Sequence, residues 1–404
     1  MTKPVVIVGA SMGGLRAAEA LRRFGYLGPI TAIGEESYAP YNRPPLSKEV
    51  LAVEVTHEAV AFEQRAATQD VNWVLGTRVL SADLEHNLVT DDTGLVHEYQ
   101  ALIIATGLRP KRYQTANGDL LGRHVIRNLD DAIGLRAELT PGAKVVILGA
   151  GFIACEVAAT ARKLGCHVTV VAPGVHPIIR PLGLELAKEL QRRHEAQGVE
   201  FRMKSNVTEL LGELRVSGVK LDSGETIDCD VFIEAIGSDP NVEWLEGNGL
   251  DLSDGVLTNN LLQTMTMDAA ALPNVFAVGD VARFPNPTFD TVARRVEHWN
   301  IPTESAKRVG QVLAAQLASG STSDLPPFAP IPSFWSDQYD MHLLAYGMLG
   351  LADEVRLIHG EISEDCVFGY YLEGKMVGVC GIGMRSTVQG YRKEFIYEPN
   401  KKEA

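Results

Sequence analysis

The stretch VILGAGFIACE, from Val146 to Glu156, joins the end of an apolar strand, a glycine turn and the beginning of a helix. A near copy, VIVGASMGGLR, occurs from Val6 to Arg16. In each copy the apolar run is rich in β-branched residues, as in parallel strands covered on both faces, and apolar residues at helical spacing follow the turn. The chain is therefore predicted to contain two βαβ units, which indicates an α/β fold with two Rossmann-like domains.

The glycine spacing in both turns is typical of dinucleotide sites. The first turn, which begins at Gly9, reads G-x-S-x-x-G, and the second, which begins at Gly149, reads G-x-G-x-x-A. In such turns the first glycine permits the bend, the second lets the backbone approach a pyrophosphate, and the third lets helix and strand pack closely. A single turn of this form also occurs without a ligand, but two turns with both flanks correct predict two nucleotide sites.

The residue that follows the second strand of each unit bears on ribose recognition. The first unit ends with Glu35, whose carboxylate is suited to accept hydrogen bonds from ribose hydroxyls. In the second unit Ala172 is predicted to stand at this place, and the nearest cation after it is Arg180. A free ribose normally requires an acid and a 2′-phosphate requires Arg or Lys, so the choice between NADH and NADPH stays open here.

Composition excludes several classes of protein. The 404 residues, 46% hydrophobic and 22% charged, are typical of a globular protein with two or three domains. A net charge of −14 argues against a general nucleic-acid binder. No apolar run reaches the roughly 18–20 residues of a membrane helix and no signal peptide is visible, so we expect a cytoplasmic protein. The cysteines form no CxxC pair, and neither a metal site nor a redox dithiol is predicted. They are Cys155, Cys166, Cys229, Cys366 and Cys380.

Three further segments are predicted to be strands that lead into glycines. They are ALIIATG at Ala101 to Gly107, CDVFIEAIG at Cys229 to Gly237 and LPNVFAVGDVA at Leu272 to Ala282. A predicted helix from about Ile301 to Leu317 precedes ASGSTSDLPPFAPIP, which has the composition of a linker. After Phe334 the alternating stretches predict antiparallel hairpins, with EGK at a turn. We therefore expect a small separate domain at the end of the chain.

Taken together, these segments resemble the FAD-dependent ferredoxin reductases that serve Rieske dioxygenases and haem-thiolate monooxygenases, which have the glutathione reductase-like fold. The resemblance covers most of the chain, and RPPLSK is its most distinctive motif. It rests, in chain order, on VIVGASMGGLRAAEALR, PYNRPPLSKEVL, LIIATGLRP, VILGAGFIACEVAA, VFAVGDVA, VEHWN and FWSDQYD.

The resemblance implies that the second unit is inserted between two halves of the first domain. Residues 1–110 and 238–319 would form the FAD-binding domain, and residues 111–237 would bind NAD(P)H, with NADH favoured. Residues 320–404 would form a small C-terminal α+β domain that covers the flavin and contributes to a docking face.

Motif position also implies the site residues. Lys48 and Glu156 are the candidate catalytic residues. Asp280 ends a strand, where open α/β sheets bind ligands, and Arg43 and Lys48 offer cations to an anionic cofactor. Lys48 is further expected to pair with Glu156. The candidate cofactor-binding residues are Gly9, Ser11, Gly13, Gly14, Glu35, Arg43, Lys48, Val79, Ala105, Thr106, Gly107, Arg127, Gly279, Asp280, Trp299, Trp335, Gly149, Gly151, Ile153, Glu156 and Gly237.

The two tryptophans in that set, Trp299 and Trp335, have two interpretations. A tryptophan is more often simply part of a core. The resemblance instead places both near the flavin ring, where an indole is able to stack and exclude water.

A flavin is suited to link a nicotinamide, which gives up a hydride, to an iron–sulfur centre, which accepts single electrons. The resemblance therefore implies NADH, bound at the second turn, as donor, and an iron–sulfur ferredoxin that feeds a cytochrome monooxygenase or Rieske dioxygenase as acceptor. An acidic ferredoxin would meet cations near the flavin edge. The candidates are Arg294, Arg295, Lys307, Arg308, Arg385, Arg392 and Lys393.

Other flavoprotein activities are less well supported. Relatives that reduce disulfides carry a cysteine pair where this chain reads YNRPPLSK, and no cysteine precedes Cys155. An FAD-dependent NAD(P)H oxidase or quinone reductase without a protein partner stays open as an alternative. A signalling flavoprotein of the apoptosis-inducing type would be expected to carry long insertions in the C-terminal domain, and none is evident.

Overall fold

A computed structural model of the chain describes residues 3–116, 118–320, 322 and 325–398. The sheet that carries the first glycine turn has six strands, and all neighbouring pairs but one are parallel. The predicted strands before and after this turn are confirmed. In spatial order the strands are Gln263–Met265, Ala271–Ala277, Ala101–Ile104, Val5–Val8, Ile30–Gly34 and Asn72–Leu75. This sheet thus combines strands from two distant parts of the chain.

The second glycine turn belongs to a five-stranded sheet that is parallel throughout. The strands before and after this turn, Lys144–Leu148 and His167–Ala172, confirm the predicted βαβ unit. In spatial order the strands are Val199–Met203, His167–Ala172, Lys144–Leu148, Val231–Glu234 and Arg123–His124. Between the two sheets the chain passes out along Leu108–Pro110 and returns along Ser238–Pro240, and these two segments pair antiparallel.

The C-terminal sheet has five antiparallel strands, as the alternating sequence predicts. Glu373 and Gly374 join two of them with positive φ angles of 51° and 79°, the conformation of a tight hairpin turn, and Lys375 already begins the next strand. In spatial order the strands are Ser333–Gln338, Met341–Gly347, Lys375–Ile382, Cys366–Leu372 and Glu354–Gly360.

Long helices flank the parallel sheets. They are Met12–Arg23, Leu129–Glu138, Phe152–Lys163, Leu184–Ala196 and Ile301–Ser319. The last of these extends beyond its predicted end because the small residues at the start of the expected linker continue the helix, and Gly320, with φ of +70°, ends it. Residues 321, 323 and 324 of that linker lie outside the described residues.

Shorter elements complete the described part of the chain. The remaining strands are Val79–Asp83, Leu88–Asp91, Val96–Glu98, Val207–Gly212, Val216–Leu221, Thr226–Asp228, Val256–Leu257, Ala282–Asn286 and Asp290–Arg295. Short helices occur at Pro44–Ser47, Glu49–Ala52, His57–Val60, Ala66–Thr68, Ile179–Leu182, Glu243–Leu245, Gly279–Val281, Leu349–Leu351, Arg385–Gly390 and Tyr391–Phe395. Within the described ranges, no helix has both the length and the apolar character needed to cross a membrane.

The helices Met12–Arg23 and Ile301–Ser319 pack closely, which ties the first glycine turn to the returning part of the chain. The approach is closest at Gly310, where an added Cβ would lie 2.9 Å from the Cβ of Ala20. A side chain at Gly310 therefore forces the two helices apart.

Two matched substitutions test this packing. Around Gly134, in the helix Leu129–Glu138, nothing lies within 4 Å of an added Cβ, whereas Gly310 has no such space. Gly134→Ala should raise the free energy of unfolding by about 0.5–1 kcal/mol, because alanine favours helix. Gly310→Ala should lower it by about 1–3 kcal/mol through overpacking. Denaturant unfolding under identical solution conditions measures both, and a gain of stability in both variants would contradict the close approach.

Candidate functional site

The two glycine turns have the same backbone construction. Gly9 has a φ of +115°, and an added Cβ would lie 2.1 Å from the carbonyl oxygen of Ala105. Gly149 has a φ of +107°, and its Cβ would lie 2.2 Å from the carbonyl oxygen of Ala235. Gly14 packs on the first turn in the same way, because its Cβ would lie 2.1 Å from the carbonyl oxygen of Gly9. Each turn thus needs glycine where a neighbouring backbone approaches, and both helices begin at the carboxyl ends of parallel strands, where nucleotides bind.

The hydrogen bonds of these turns also relate the ribose positions of the two units. The first glycine of each turn donates its amide to the next strand, to Ile33 at 2.7 Å in the first unit and to Val171 at 2.8 Å in the second. Glu35 lies two residues after Ile33, so its structural counterpart is Pro173. The prediction that Ala172 stands at this place is therefore wrong by one residue, because the strand His167–Ala172 continues through Ala172, which is the counterpart of Gly34. Neither Ala172 nor Pro173 supplies a carboxylate.

Most of the candidate residues line one cavity of about 1020 Å³, which we call the central cavity. Those that line it are Gly9, Ser11, Gly13, Glu35, Arg43, Lys48, Val79, Ala105, Thr106, Gly107, Arg127, Ile153, Glu156, Gly279, Asp280, Trp299 and Trp335. Those that do not are Gly14, Gly149, Gly151 and Gly237. Gly14 serves helix packing, and the other three belong to the end of the second parallel sheet.

One end of the central cavity is suited to anions. The helix Met12–Arg23 begins there, with Ser11 as its N-cap residue, and the Ser11 side chain makes no capping hydrogen bond. The guanidinium of Arg43 donates from Nε to Ser11 Oγ at 3.3 Å and forms an ion pair with Glu36. Tyr41 also donates to Glu36. A helix N-terminus beside a fixed arginine attracts a phosphate group.

Glu35 and Glu36 are adjacent but have different surroundings. Glu36 is bound by Arg43 and Tyr41, whereas Glu35 is exposed at the cavity wall. Glu35 forms no hydrogen bond or ion pair with another described residue. It is therefore available to a ligand, as the motif position implies.

Asp280 and Arg127 present opposite charges to the central cavity. Burial raises the pKa of Asp280 to about 6, and Arg127 acts against that shift. Burial lowers the pKa of the Arg127 guanidinium. The backbone beside Asp280 is held by a hydrogen bond from the Gly279 amide to Ser305 Oγ at 3.0 Å. The carboxyl group is thus fixed at the wall without a hydrogen-bond partner among the described side chains.

Lys48 and Glu156 form the expected ion pair, with 2.7 Å between Lys48 Nζ and Glu156 Oε2. Their side chains are 14% and 8% exposed, so the charges are largely removed from water. Ser47 Oγ donates to the same oxygen at 2.5 Å, and Ser336 Oγ donates to Glu156 Oε1 at 2.6 Å. The motif RPPLSK, the helix after the second turn and a strand of the C-terminal sheet therefore meet at one carboxylate.

Trp299 and Trp335 form an aromatic wall of the central cavity. Their rings are in edge contact, with 5.4 Å between centroids, and remain 39% and 38% exposed. Trp299 Nε1 donates to Asn42 Oδ1 at 3.1 Å. Behind them the His298 ring packs on Phe334 at 5.2 Å, and burial lowers the pKa of His298 to about 4. Both tryptophans thus reach from the cavity to the surface and are not ordinary core residues.

The prediction that Arg308 is a docking cation is wrong. Arg308 is only 6% exposed, donates to the Pro327 carbonyl at 3.2 Å and lies over the ring of Phe328. It faces the core because it lies on the buried side of its helix, so it is not available to a partner. Arg294 and Arg295 are held in ion pairs with neighbouring carboxylates. The other predicted cations are exposed: Lys307, Arg385, Arg392 and Lys393.

Sequence reasoning missed several polar residues at this site. They are Glu36, Tyr41, Ser47, His298 and Ser336. Tyr41, Ser47, His298 and Ser336 each lie in a motif quoted above, and Glu36 directly follows the candidate Glu35. These positions were the evidence that the sequence offered. Their partners, however, are distant in the chain. Among the described residues no cluster of His, Cys, Asp and Glu side chains is suited to hold a metal ion.

Comparisons with known proteins agree with this construction. A family model described as pyridine nucleotide-disulphide oxidoreductase matches residues 3–306. The rubredoxin-NAD(+) reductase of Ectopseudomonas oleovorans is 33% identical, and the match covers 91% of this chain and 93% of that protein. The ferredoxin-NAD(+) reductase component of the anthranilate 1,2-dioxygenase system of Burkholderia cepacia is also 33% identical, over 96% of this chain and 93% of that protein.

Solved structures of two reductases also match almost the whole chain. The covalent complex of putidaredoxin reductase with putidaredoxin matches with a TM-score of 0.89 and 27% identity, covering 97% of this chain and 93% of that chain. The ferredoxin reductase for the CYP199A2 system of Rhodopseudomonas palustris matches with a TM-score of 0.88 and 32% identity, covering 97% and 94%.

His298 should make stability depend on pH. Its imidazole has a pKa of about 4 in the folded protein against about 6.5 when unfolded, so below pH 6.5 the unfolded chain binds the proton first. The free energy of unfolding should therefore fall by about 2 kcal/mol from pH 7 to pH 5 through this residue alone. Unfolding of His298→Gln over this range should show a correspondingly shallower decline. His167→Gln, which removes an exposed imidazole, is the control and should follow the unsubstituted protein.

Proposed function

We propose that the chain, which belongs to the pyridine nucleotide-disulphide oxidoreductase family, passes electrons from NAD(P)H through FAD to an iron–sulfur ferredoxin. The observation that carries this proposal is the central cavity, where a glycine turn, the Lys48–Glu156 pair and two partly exposed tryptophans meet. No cysteine is among the described residues that line it. Disulfide reduction needs a thiol pair at the flavin, so in this protein the electrons leave by another route.

The residues of the central cavity fit FAD. The close approach at Gly9 and the helix N-terminus suit a pyrophosphate, and Glu35 suits an adenosine ribose. At the cavity wall Asp280 would accept hydrogen bonds from hydroxyl groups of the ribityl chain, while Arg43 and Arg127 would offset the charge of the pyrophosphate. When bound, FAD supplies the redox chemistry, because it accepts a hydride and gives up electrons one at a time.

Lys48 and Glu156 are the proposed catalytic residues. The carboxylate holds Lys48 Nζ at the cavity wall by an ion pair of 2.7 Å. A cation fixed in a largely buried site stabilises the negative charge that develops nearby during reduction, and it needs little reorganisation to do so. The helix that carries Glu156 begins at the second glycine turn, so the nicotinamide site and this pair share one rigid element.

We propose three domains, and two of them each hold one nucleotide site. Residues 1–110 and 238–319 form the FAD-binding domain. This agrees with the six-stranded sheet, whose strands lie within residues 5–104 and 263–277. Residues 111–237 form the NAD(P)H-binding domain, which agrees with a separate parallel sheet around the second turn. Residues 320–404, of which part is described, form the C-terminal reductase domain.

The acceptor is proposed to be a ferredoxin that serves a cytochrome monooxygenase or Rieske dioxygenase. Relatives named as reductase components of dioxygenase systems support this, as does the structural match to a reductase bound to putidaredoxin. Trp299 and Trp335 mark a short path from cavity to surface, and Arg392 and Lys393 are exposed cations of the C-terminal domain. Donors named for the relatives favour NADH, and this donor together with unpaired cysteines favours the cytoplasm.

Acceptor specificity tests the proposal. The purified protein with FAD bound should oxidise NADH slowly in air, and a [2Fe–2S] ferredoxin with cytochrome c as final acceptor should raise the rate at least tenfold. The measurement is NADH consumption with ferredoxin, oxygen or a quinone as acceptor under otherwise equal conditions. Fast turnover with oxygen or quinone and none with any ferredoxin would instead support an NAD(P)H oxidase or quinone reductase.

Nucleotide preference gives a second prediction. The end of the strand His167–Ala172 has no carboxylate at either Ala172 or Pro173, so nothing at these two positions repels a 2′-phosphate. Pro173, the counterpart of Glu35, is exposed, whereas Ala172 is buried. Pro173→Glu should lower kcat/KM for NADPH at least tenfold and change that for NADH less than threefold, because the new charge repels only the phosphorylated ribose. Pro173→Gln is the uncharged control. Equal losses with both nucleotides would place the ribose elsewhere.

A further inference from the structure

The Glu156 carboxylate is held from two sides. Ser47 and Lys48 donate to Oε2, at 2.5 Å and 2.7 Å. Among the described residues Ser336 is the donor to Oε1, at 2.6 Å. Glu156 is 7% exposed and Ser336 is fully buried, so water does not replace this bond readily. Without the Ser336 hydroxyl, one oxygen of a buried carboxylate has no partner and the group is free to rotate.

A chain of buried hydrogen bonds lies behind Ser336. Gln338 Nε2 donates to Ser336 Oγ at 2.9 Å, and Gln338 Oε1 lies 2.7 Å from His194 Nε2. Ser336, Gln338 and His194 are all fully buried. These hydrogen bonds join the C-terminal strand Ser333–Gln338 to the helix Leu184–Ala196 of the second parallel-sheet unit.

The direction of these hydrogen bonds is fixed by chemistry. The amide nitrogen of Gln338 can only donate, so Ser336 Oγ accepts from it and turns its own proton toward Glu156. The amide oxygen of Gln338 can only accept, so His194 must carry its proton on Nε2. His194 Nδ1 is buried and has no hydrogen-bond partner among the described residues, and burial lowers the pKa of this imidazole, which agrees with a neutral ring. Each donor in this series of hydrogen bonds therefore points toward the Glu156 carboxylate.

We propose that Ser336 is a positioning residue for the Lys48–Glu156 pair. Its hydroxyl, oriented by Gln338 and His194, fixes the Glu156 carboxylate and through it the ammonium group of Lys48 at the cavity wall. The C-terminal sheet is then part of the apparatus that accepts the hydride, in addition to its proposed role in docking. This inference rests on the proposed function, because it assigns a residue to the same site.

A double-mutant cycle separates positioning from general loss of structure. The variants are Ser336→Ala, Glu156→Gln and the double variant, and Ser333→Ala removes a hydroxyl from the same strand as a control. The rate of flavin reduction by NADH is measured by anaerobic stopped flow on protein with FAD bound. The cycle is repeated with the thermal unfolding midpoint, which does not depend on turnover.

If Ser336 acts through Glu156, Ser336→Ala should slow flavin reduction roughly tenfold, the size expected for a lost hydrogen bond to a charged group. The NADH concentration at half-maximal rate should change less than twofold. In the Glu156→Gln background the same substitution should change the rate less than twofold, and the losses in unfolding midpoint should likewise be smaller than additive. Ser333→Ala should match the unsubstituted protein.

An equal rate factor in both backgrounds, or no change in rate for a folded Ser336→Ala protein, would overturn the inference. If Ser336→Ala does not fold, Gln338→Met replaces it in the cycle, because it removes the amide that orients the hydroxyl at similar volume. Failure of the proposed function itself gives a different result. In that case the unsubstituted protein with FAD is reduced by neither NADH nor NADPH, while the cycle of unfolding midpoints still tests whether Ser336 positions Glu156.

Discussion

The close approach of one backbone to another at Gly9 and Gly149 is the constraint from which the rest of the structure follows. In both turns an added Cβ would lie about 2 Å from the carbonyl oxygen of the residue that follows the adjacent parallel strand, Ala105 or Ala235. Only glycine permits this contact, and it brings the start of a helix against the carboxyl ends of the strands. The chain builds this arrangement twice because two nucleotides must be held, each at its own sheet.

The Glu156 carboxylate connects these two sites. Taking a carboxylate and an ammonium group out of water is costly, and the attraction between them offsets that cost only when further hydrogen bonds satisfy the remaining lone pairs. Here the additional donors are Ser47 and Ser336, from parts of the chain that lie far before and far after Glu156. The largely buried pair is therefore stable only when all three parts are assembled. The proposed catalytic pair thus lies where these three parts of the chain meet.

The sequence predicts the local elements well, but apart from the Lys48–Glu156 pair it predicts few of the long-range side-chain contacts. Strands such as Val5–Val8 and Lys144–Leu148 follow from β-branched runs that lead into glycine, and the structure forms a strand in each run. The burial of Arg308 was not predicted, because a helix with apolar residues on several sides does not show from spacing which side an arginine faces.

Two further differences have the same kind of cause. The offset of Ala172 depends on a backbone hydrogen bond, which letters alone do not reveal. The contact between Ser336 and Glu156 joins residues 180 positions apart and depends on how the C-terminal sheet docks. The resemblance identified the set of motifs, but only the folded structure shows which side chains of those motifs form hydrogen bonds with one another.

The absence of a thiol among the described residues of the central cavity changes how electrons leave it. In a disulfide reductase a protein disulfide takes up two electrons from the flavin and passes them to a substrate disulfide, which leaves in reduced form. Such a site needs no route to the surface for single electrons. This cavity instead has Trp299 and Trp335 at its wall, each more than a third exposed and in edge contact with the other. With FAD bound as proposed, this apolar, partly exposed aromatic pair would limit the access of water to the cavity and leave a short distance between the cofactor and the surface. A partner that takes one electron at a time needs such a short distance, because electron transfer to it does not depend on covalent contact.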